Sequence, residues 1–207
     1  MQKRTKGTLL LILIVLTGLA GRISSNTLTS QERRYLIDHL KDSKTYLLKA
    51  TKGLSEQQLN FKPAPEKWSI KECVQHLALA EDNLWQWTDG VLKQAPNPEK
   101  RAEIKVSDQD LVKMVSSRDQ KAQAPETIKP EKAPWKTTAE ALSTFKDKRA
   151  ALIKYTKTTT DDMRNHVTQA PMGYLDAYQL LLLLSAHTRR HTDQILEVKS
   201  DPAFPKK

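Results

Sequence analysis

The sequence predicts an all-α protein, a four-helix bundle with a long crossover between its second and third long helices. Three observations point there. Glycine is scarce, with six residues in 207, and apolar residues seldom alternate with polar ones, which argues against a sheet. Four long segments carry apolar side chains at helical spacing instead. Helix-start residues stand directly in front of three of them. A chain of this length holds one domain with a full core and is short for two.

Taken in order, residues 1–20 read as a signal peptide. Lys3, Arg4 and Lys6 form a positive start, Leu9 to Leu19 a short apolar run, and Gly18-Leu19-Ala20 a small-residue cleavage site. The run falls short of the roughly 20 residues that a comfortable membrane span needs, so an uncleaved anchor is the alternative. No cysteine follows it, which excludes a lipid anchor there. The expected location is outside the cytoplasm, periplasmic or extracellular, without stable membrane insertion once the signal is removed.

Residues 21–30 form a polar linker, and residues 31–200 the bundle domain. A first helix is predicted from Gln31 to about Lys52, with Leu36, Leu40, Leu47 and Leu48 inward and Gly53 as its stop. LSEQQLNFKPAPEKW, with two prolines, is predicted to be an ordered connector. The second helix has the clearest start: Ser69 and Glu72 form a capping box, and Trp68 and Cys73 can staple it. Ile70, Val74, Leu77, Leu84 and Val91 give its core stripe.

Between Gln94 and Trp135 the chain is rich in proline, lysine and short polar runs, and one short helix is predicted at about Asp108 to Arg118. Thr137 and Glu140 form a second capping box, opening a helix to about Thr158 through Leu142, Phe145, Leu152 and Ile153. A loop with Pro171 and Gly173 follows. Asp176 caps the last helix, which runs to about Val198, and residues 201–207 form a tail that Pro202 and Pro205 keep from continuing it.

Charge and cysteine content exclude some functions. The net charge is +10, from 34 basic and 24 acidic residues. Basic and acidic residues interleave from Lys93 to Lys136, with no basic stripe set with aromatics, so nucleic-acid binding is not expected. The single cysteine, Cys73, has no partner for an internal disulfide and reads as a small buried hydrophobe.

Chemistry concentrates on histidine. In LLLLLSAHTRRHTDQILEV, His187 and His191 are one turn apart on the same side as Leu180, Leu184 and Ile195. Buried imidazoles need partners, and His-x3-His on a helix offers two rings to one metal ion. His76 lies similarly on the flank of the second helix, which completes a three-histidine set. Three protein ligands leave an open position for water or substrate, the arrangement of catalytic zinc sites. Thr188 and Arg189 occupy the place of the glutamate in His-Glu-x-x-His, so a protease of that type is disfavoured.

His39 and His166 read as surface or hydrogen-bonding residues. Glu81 and Asp193 are the carboxylates nearest the three histidines in sequence, and Glu81 is a weak catalytic candidate. Tyr46, Trp85, Trp87 and Tyr178 read as packing residues.

The pattern W-S-I-K-E-x-x-x-H-L from Trp68 to Leu77, followed by H-T-R-R-H-T-x-Q-I from His187 to Ile195, resembles the DinB-like superfamily. The tail K-S-D-P-A-F-P is similar to one branch of it. The resemblance covers residues 30–205. It implies a four-helix bundle of the DinB/YfiT-like kind with a metal held by His76, His187 and His191. It further implies either a metal-dependent hydrolase or a thiol-dependent transferase using bacillithiol or mycothiol.

Low-molecular-weight thiols are chiefly cytosolic, so a signal peptide weighs for the hydrolase. The resulting expectation is a metal-dependent hydrolase acting on a small molecule, with metal-bound water as nucleophile. Its ion would be one divalent transition metal, zinc or nickel first and iron or manganese as alternatives. A thiol-dependent S-transferase and a non-catalytic metal-binding or interaction module are the competing readings. The chain is expected to be a monomer or a homodimer.

Overall fold

A computed structural model describes residues 27–119 and 123–206. The predicted signal peptide and most of the linker lie outside the described residues. Four long helices dominate: α1 (Ser30–Thr51), α3 (Ile70–Leu92), α5 (Thr138–Thr158) and α6 (Ala177–Lys199). Short helices α2 (Glu56–Asn60) and α4 (Asp108–Ser116) lie in the connections. Each long helix starts with a closed capping box, Thr29 with Glu32, Ser69 with Glu72, Thr137 with Glu140 and Asp176 with Gln179. These reciprocal bonds satisfy amides that the first turn cannot pair internally. Gly53, at φ 68°, follows α1 and turns the chain where a side chain would be strained.

Two expectations need correction. The connector after Gly53 contains α2, because Ser55 and Gln58 form a further capping box ahead of Pro63 and Pro65. The loop before α6 is an antiparallel hairpin of β1 (Val167–Ala170) and β2 (Gly173–Asp176). Four-residue strands are too short to show an alternating pattern, and Gly173, at φ 116°, takes the backbone angle the turn requires.

The bundle closes as a ring in which α1 meets α6, α6 meets α3, α3 meets α5 and α5 meets α1. Two buried apolar clusters fill it. One takes Leu36 and Leu40 of α1, Val91 of α3, Leu152 of α5 and Leu180 to Leu184 of α6. The other takes Leu47, Ile70, Val74, Leu77, Phe145, Ile195 and Val198. The order in which each helix meets the clusters gives its direction: α1 and α6 run one way, α3 and α5 the other. Since α3 and α5 are parallel neighbours, the chain must return the length of the bundle between them. The long crossover makes that return, and its α4 packs on α6. With α1, α3 and α4 all against it, α6 can bury five consecutive leucines.

Between the two clusters lies a polar layer. Each long helix gives it one buried side chain: Ser43, Glu81, Arg149 and Thr188. Among the described residues, no helix is long and apolar enough to cross a membrane.

Candidate metal centre

Antiparallel packing of α3 on α6 brings His76 to His187 and His191. One nitrogen from each ring lies within 4.8 Å of the others, and Nε2 of His76 is 3.1 Å from Nε2 of His187. Ring centroids are 4.9 Å apart for His76 and His187 and 4.5 Å for each pair with His191. His76 and His191 are buried, while His187 is partly exposed.

Hydrogen bonds select the tautomers. Nδ1–H of His76 donates to the Ile128 carbonyl at 2.7 Å, and Nδ1–H of His191 donates to Gln194 Oε1 at 2.8 Å. Both rings then present an Nε2 lone pair inward, as a metal-ligating imidazole held by an outer partner does. Burial lowers the proton affinity of all three rings, His187 to about 3 and His191 well below the ordinary value, with the neighbouring imidazoles adding to the effect at both. Neutral rings are the form that binds metal.

The residues fit a divalent ion. Two ligands at 2.0–2.1 Å from a tetrahedral centre are separated by about 3.3 Å, close to the 3.1 Å between the two Nε2 atoms. At that distance the inward Nε2 lone pair of His76 takes either a proton from Nε2 of His187 or a cation shared with it. Trp68, in the connector before α3, walls the cluster with ring centroids 4.9 Å from His76 and 5.8 Å from His191.

The crossover takes part in this support. It supplies the Ile128 carbonyl, and Arg118 donates to Gln194 Oε1 at 3.4 Å while making a two-bond pair with Glu197. Gln75 also donates to the Trp135 carbonyl. The motif contained Gln194, one turn beyond His191. Ile128 contributes a backbone group 52 residues from its histidine, for which a sequence carries no signature.

The other candidates have partners elsewhere. Both oxygens of Glu81 are bonded to Arg149, at 2.6 and 2.8 Å. Asp193 accepts from the Tyr46 hydroxyl at 2.6 Å. His166 is buried, with ring nitrogens on the carbonyls of Asp162 and Gln94, and His39 packs against Tyr35. The Cys73 thiol is fully buried, and burial pushes its pKa far above the usual range, so it is no nucleophile.

Arg149 was not visible as a special residue in the sequence, yet among the described residues it is the largest fully buried side chain. The signal was its place in the stripe from Phe145 to Leu152. Two cavities, of about 430 and 320 Å³, flank α3; the first has Glu81, Trp85 and Tyr155 in its wall, the second Ile128 and Trp135. The three histidines line neither.

Comparisons with known proteins agree with this architecture. A model of the DinB superfamily matches residues 39–195. The uncharacterized protein YuaE of Bacillus subtilis strain 168 is 25% identical over 150 residues, covering 72% of this chain and 87% of the relative. The solved structure of YfiT from Bacillus subtilis superposes with a TM-score of 0.57 at 16% identity, covering 84% of this chain and 89% of that one. YfiT is described as a probable metal-dependent hydrolase with an unusual four-helix bundle topology.

Proposed function

The chain belongs to the DinB superfamily, and from that premise we propose that it is a metal-dependent hydrolase acting on a small molecule outside the cytoplasm. His76, His187 and His191 would hold one divalent transition metal, zinc or nickel first. A bound ion there supplies Lewis acidity, which polarises a substrate oxygen and makes water a stronger acid.

The observation that carries the reading is the convergence of three buried or half-buried neutral imidazoles, two with their Nδ1 protons tied outward. The chain's own residues then have definite tasks. Ile128 and Gln194 hold two rings in the ligating tautomer, Trp68 excludes water from one side, and the partly exposed His187 marks the side open to solvent. Both oxygens of Glu81 accept hydrogen bonds from Arg149, and Oδ1 of Asp193 accepts one from Tyr46, so each carboxylate has a partner other than the three rings. The description of YfiT supports the hydrolytic assignment by similarity of fold.

A second reading, a non-catalytic metal-binding module, draws on the position of the two cavities away from the rings. A thiol-dependent transferase would need an external thiol, since Cys73 is buried. One experiment separates the three. Protein stripped with chelator and reloaded with zinc or nickel is assayed on ester, amide and phosphoester substrates, with and without small thiols. Hydrolysis that returns with metal and needs no thiol supports the proposal. Turnover only with thiol, or none with any substrate in the fully loaded protein, contradicts it.

A further inference from the structure

We propose that the buried Arg149–Glu81 pair is a positioning device for the metal centre, fixing the register of α6 against α3 so that His187 and His191 meet His76. The proposal rests on the metal reading above.

Arg149 uses every donor it has. Nε–H and one Nη2–H donate to the two oxygens of Glu81, at 2.6 and 2.8 Å, and the other Nη2–H donates to Thr188 Oγ1 at 2.8 Å. Nη1 donates to the Leu40 carbonyl at 3.0 Å and to Ser43 Oγ at 2.7 Å. A guanidinium has five N–H groups in a rigid fork, and here all five are satisfied. They run from α5 to α1, α3 and α6, so one side chain joins all four long helices.

Stability alone is a weak reason for such a group. Removing two charges from water is costly, and buried ion pairs are often replaceable by apolar residues of similar volume without loss. Directionality is what the pair adds. The run Leu180 to Leu184 is buried on every side, and five identical neighbours present similar apolar surface at any rotation or slip of the helix. Apolar packing there specifies burial more strongly than register. The directed hydrogen bonds, two to Glu81 of α3 and one to Thr188 of α6, fit one register of those helices only, the role for which buried polar groups are best attested.

The device is rigidly coupled to the ligands. Thr188 follows His187 directly, and Glu81 lies five residues beyond His76, about 7.5 Å along the same helix. A slip of α6 by one turn would carry His187 about 5.4 Å along the helix axis. That exceeds the 4.8 Å within which the three ligand atoms now lie.

The test uses the double variant Glu81→Leu/Arg149→Met, which removes both charges and leaves no unpaired partner charge. Helical content, urea stability, cobalt(II) affinity by chelator competition and the cobalt(II) absorption spectrum are measured against the wild type. The expected result is a folded protein of equal or greater stability whose cobalt affinity falls at least about tenfold, as for other groups that orient ligands, with an altered spectrum. A folded double variant with wild-type affinity and spectrum overturns the proposal.

Should that variant fail to fold, Thr188→Val decides, because it removes the bond from Arg149 to α6 and, besides it, only the hydroxyl's own bond to the Leu184 carbonyl within that helix. It should lower cobalt affinity while Thr188→Ser restores it, and wild-type affinity in Thr188→Val overturns the proposal. Wild-type protein that binds no cobalt, zinc or nickel is a different outcome: it overturns the metal reading itself, and this proposal with it.

Discussion

Gln194 Oε1 accepts the Nδ1 proton of His191 at 2.8 Å, one turn further along the same helix, and takes a second hydrogen bond from Arg118 of the crossover. A side chain outside the histidine cluster thus fixes which nitrogen of His191 faces inward. Replacing it should weaken metal binding without unfolding the bundle. Gln194→Leu is expected to lower zinc affinity by about 10- to 100-fold while costing the metal-free protein no more than the unpaired Nδ1–H of His191 does, about 1–3 kcal/mol by urea denaturation. Competition with a chromophoric chelator measures the first quantity, and an unchanged affinity would show that Gln194 orients nothing.

The centre should make the metal-free protein sensitive to mild acid. Burial holds His76, His187 and His191 below the ordinary histidine pKa, His187 at about 3. In the unfolded chain they titrate near 6.5. As pH falls through 6.5 the unfolded chain therefore takes up protons that the native protein refuses, and stability drops. The full contribution is present above about pH 6.5 and is lost progressively toward pH 3, by about 1.4 kcal/mol per pH unit for each fully affected ring. His39, also lowered by burial, adds with the same sign. Urea titrations at pH 7.5 and 5.5 read the difference in a window above most carboxylate titrations. A variant with the three histidines changed to Gln should be much flatter, and equal slopes would refute the burial argument.

Breaking the central ion pair on one side only should be severe. Arg149→Ala leaves Glu81 buried without its partner, and Glu81→Ala does the same to Arg149. Each is expected to cost about 3–5 kcal/mol, measured by urea denaturation. A loss below about 1 kcal/mol in either would mean that water reaches the layer and solvates the charge left behind.

Cys73 should be silent toward thiol reagents in the native protein. It is fully buried in the second apolar cluster, and burial strongly disfavours its thiolate. Colorimetric titration with an aromatic disulfide is expected to register one thiol after urea unfolding and almost none before. Fast native reaction would place Cys73 at the surface.

The helices were legible because their starts are written locally. Ser69–Glu72 and Thr137–Glu140 are contiguous capping signals, and the observed boundaries follow them. Ser55–Gln58 is the same signal in a proline-rich context, where Pro63 and Pro65 mask it as a connector. The β-hairpin was not legible, since strands of four residues carry too little pattern to stand out. At the centre, the three histidines were readable from spacing and motif, and the fold brings them together. Their supports divide by kind. Gln194 was within reach of a helical reading, one turn past His191. The Ile128 carbonyl depends on how a crossover folds back. Arg149 is a charged residue within an apolar stripe, a conflict between residue type and position that only the fold explains, through the buried pair with Glu81.

Metal content of protein purified without chelator or added metal tests the central claim most directly. Elemental analysis should find close to one divalent transition ion per chain, zinc or nickel, in the wild type. His187→Ala, which removes the partly exposed ligand while leaving the apolar clusters intact, should retain far less. Wild-type protein that carries no metal and takes none up from zinc or nickel solutions, or a folded His187→Ala protein loaded as fully as the wild type, would contradict the account.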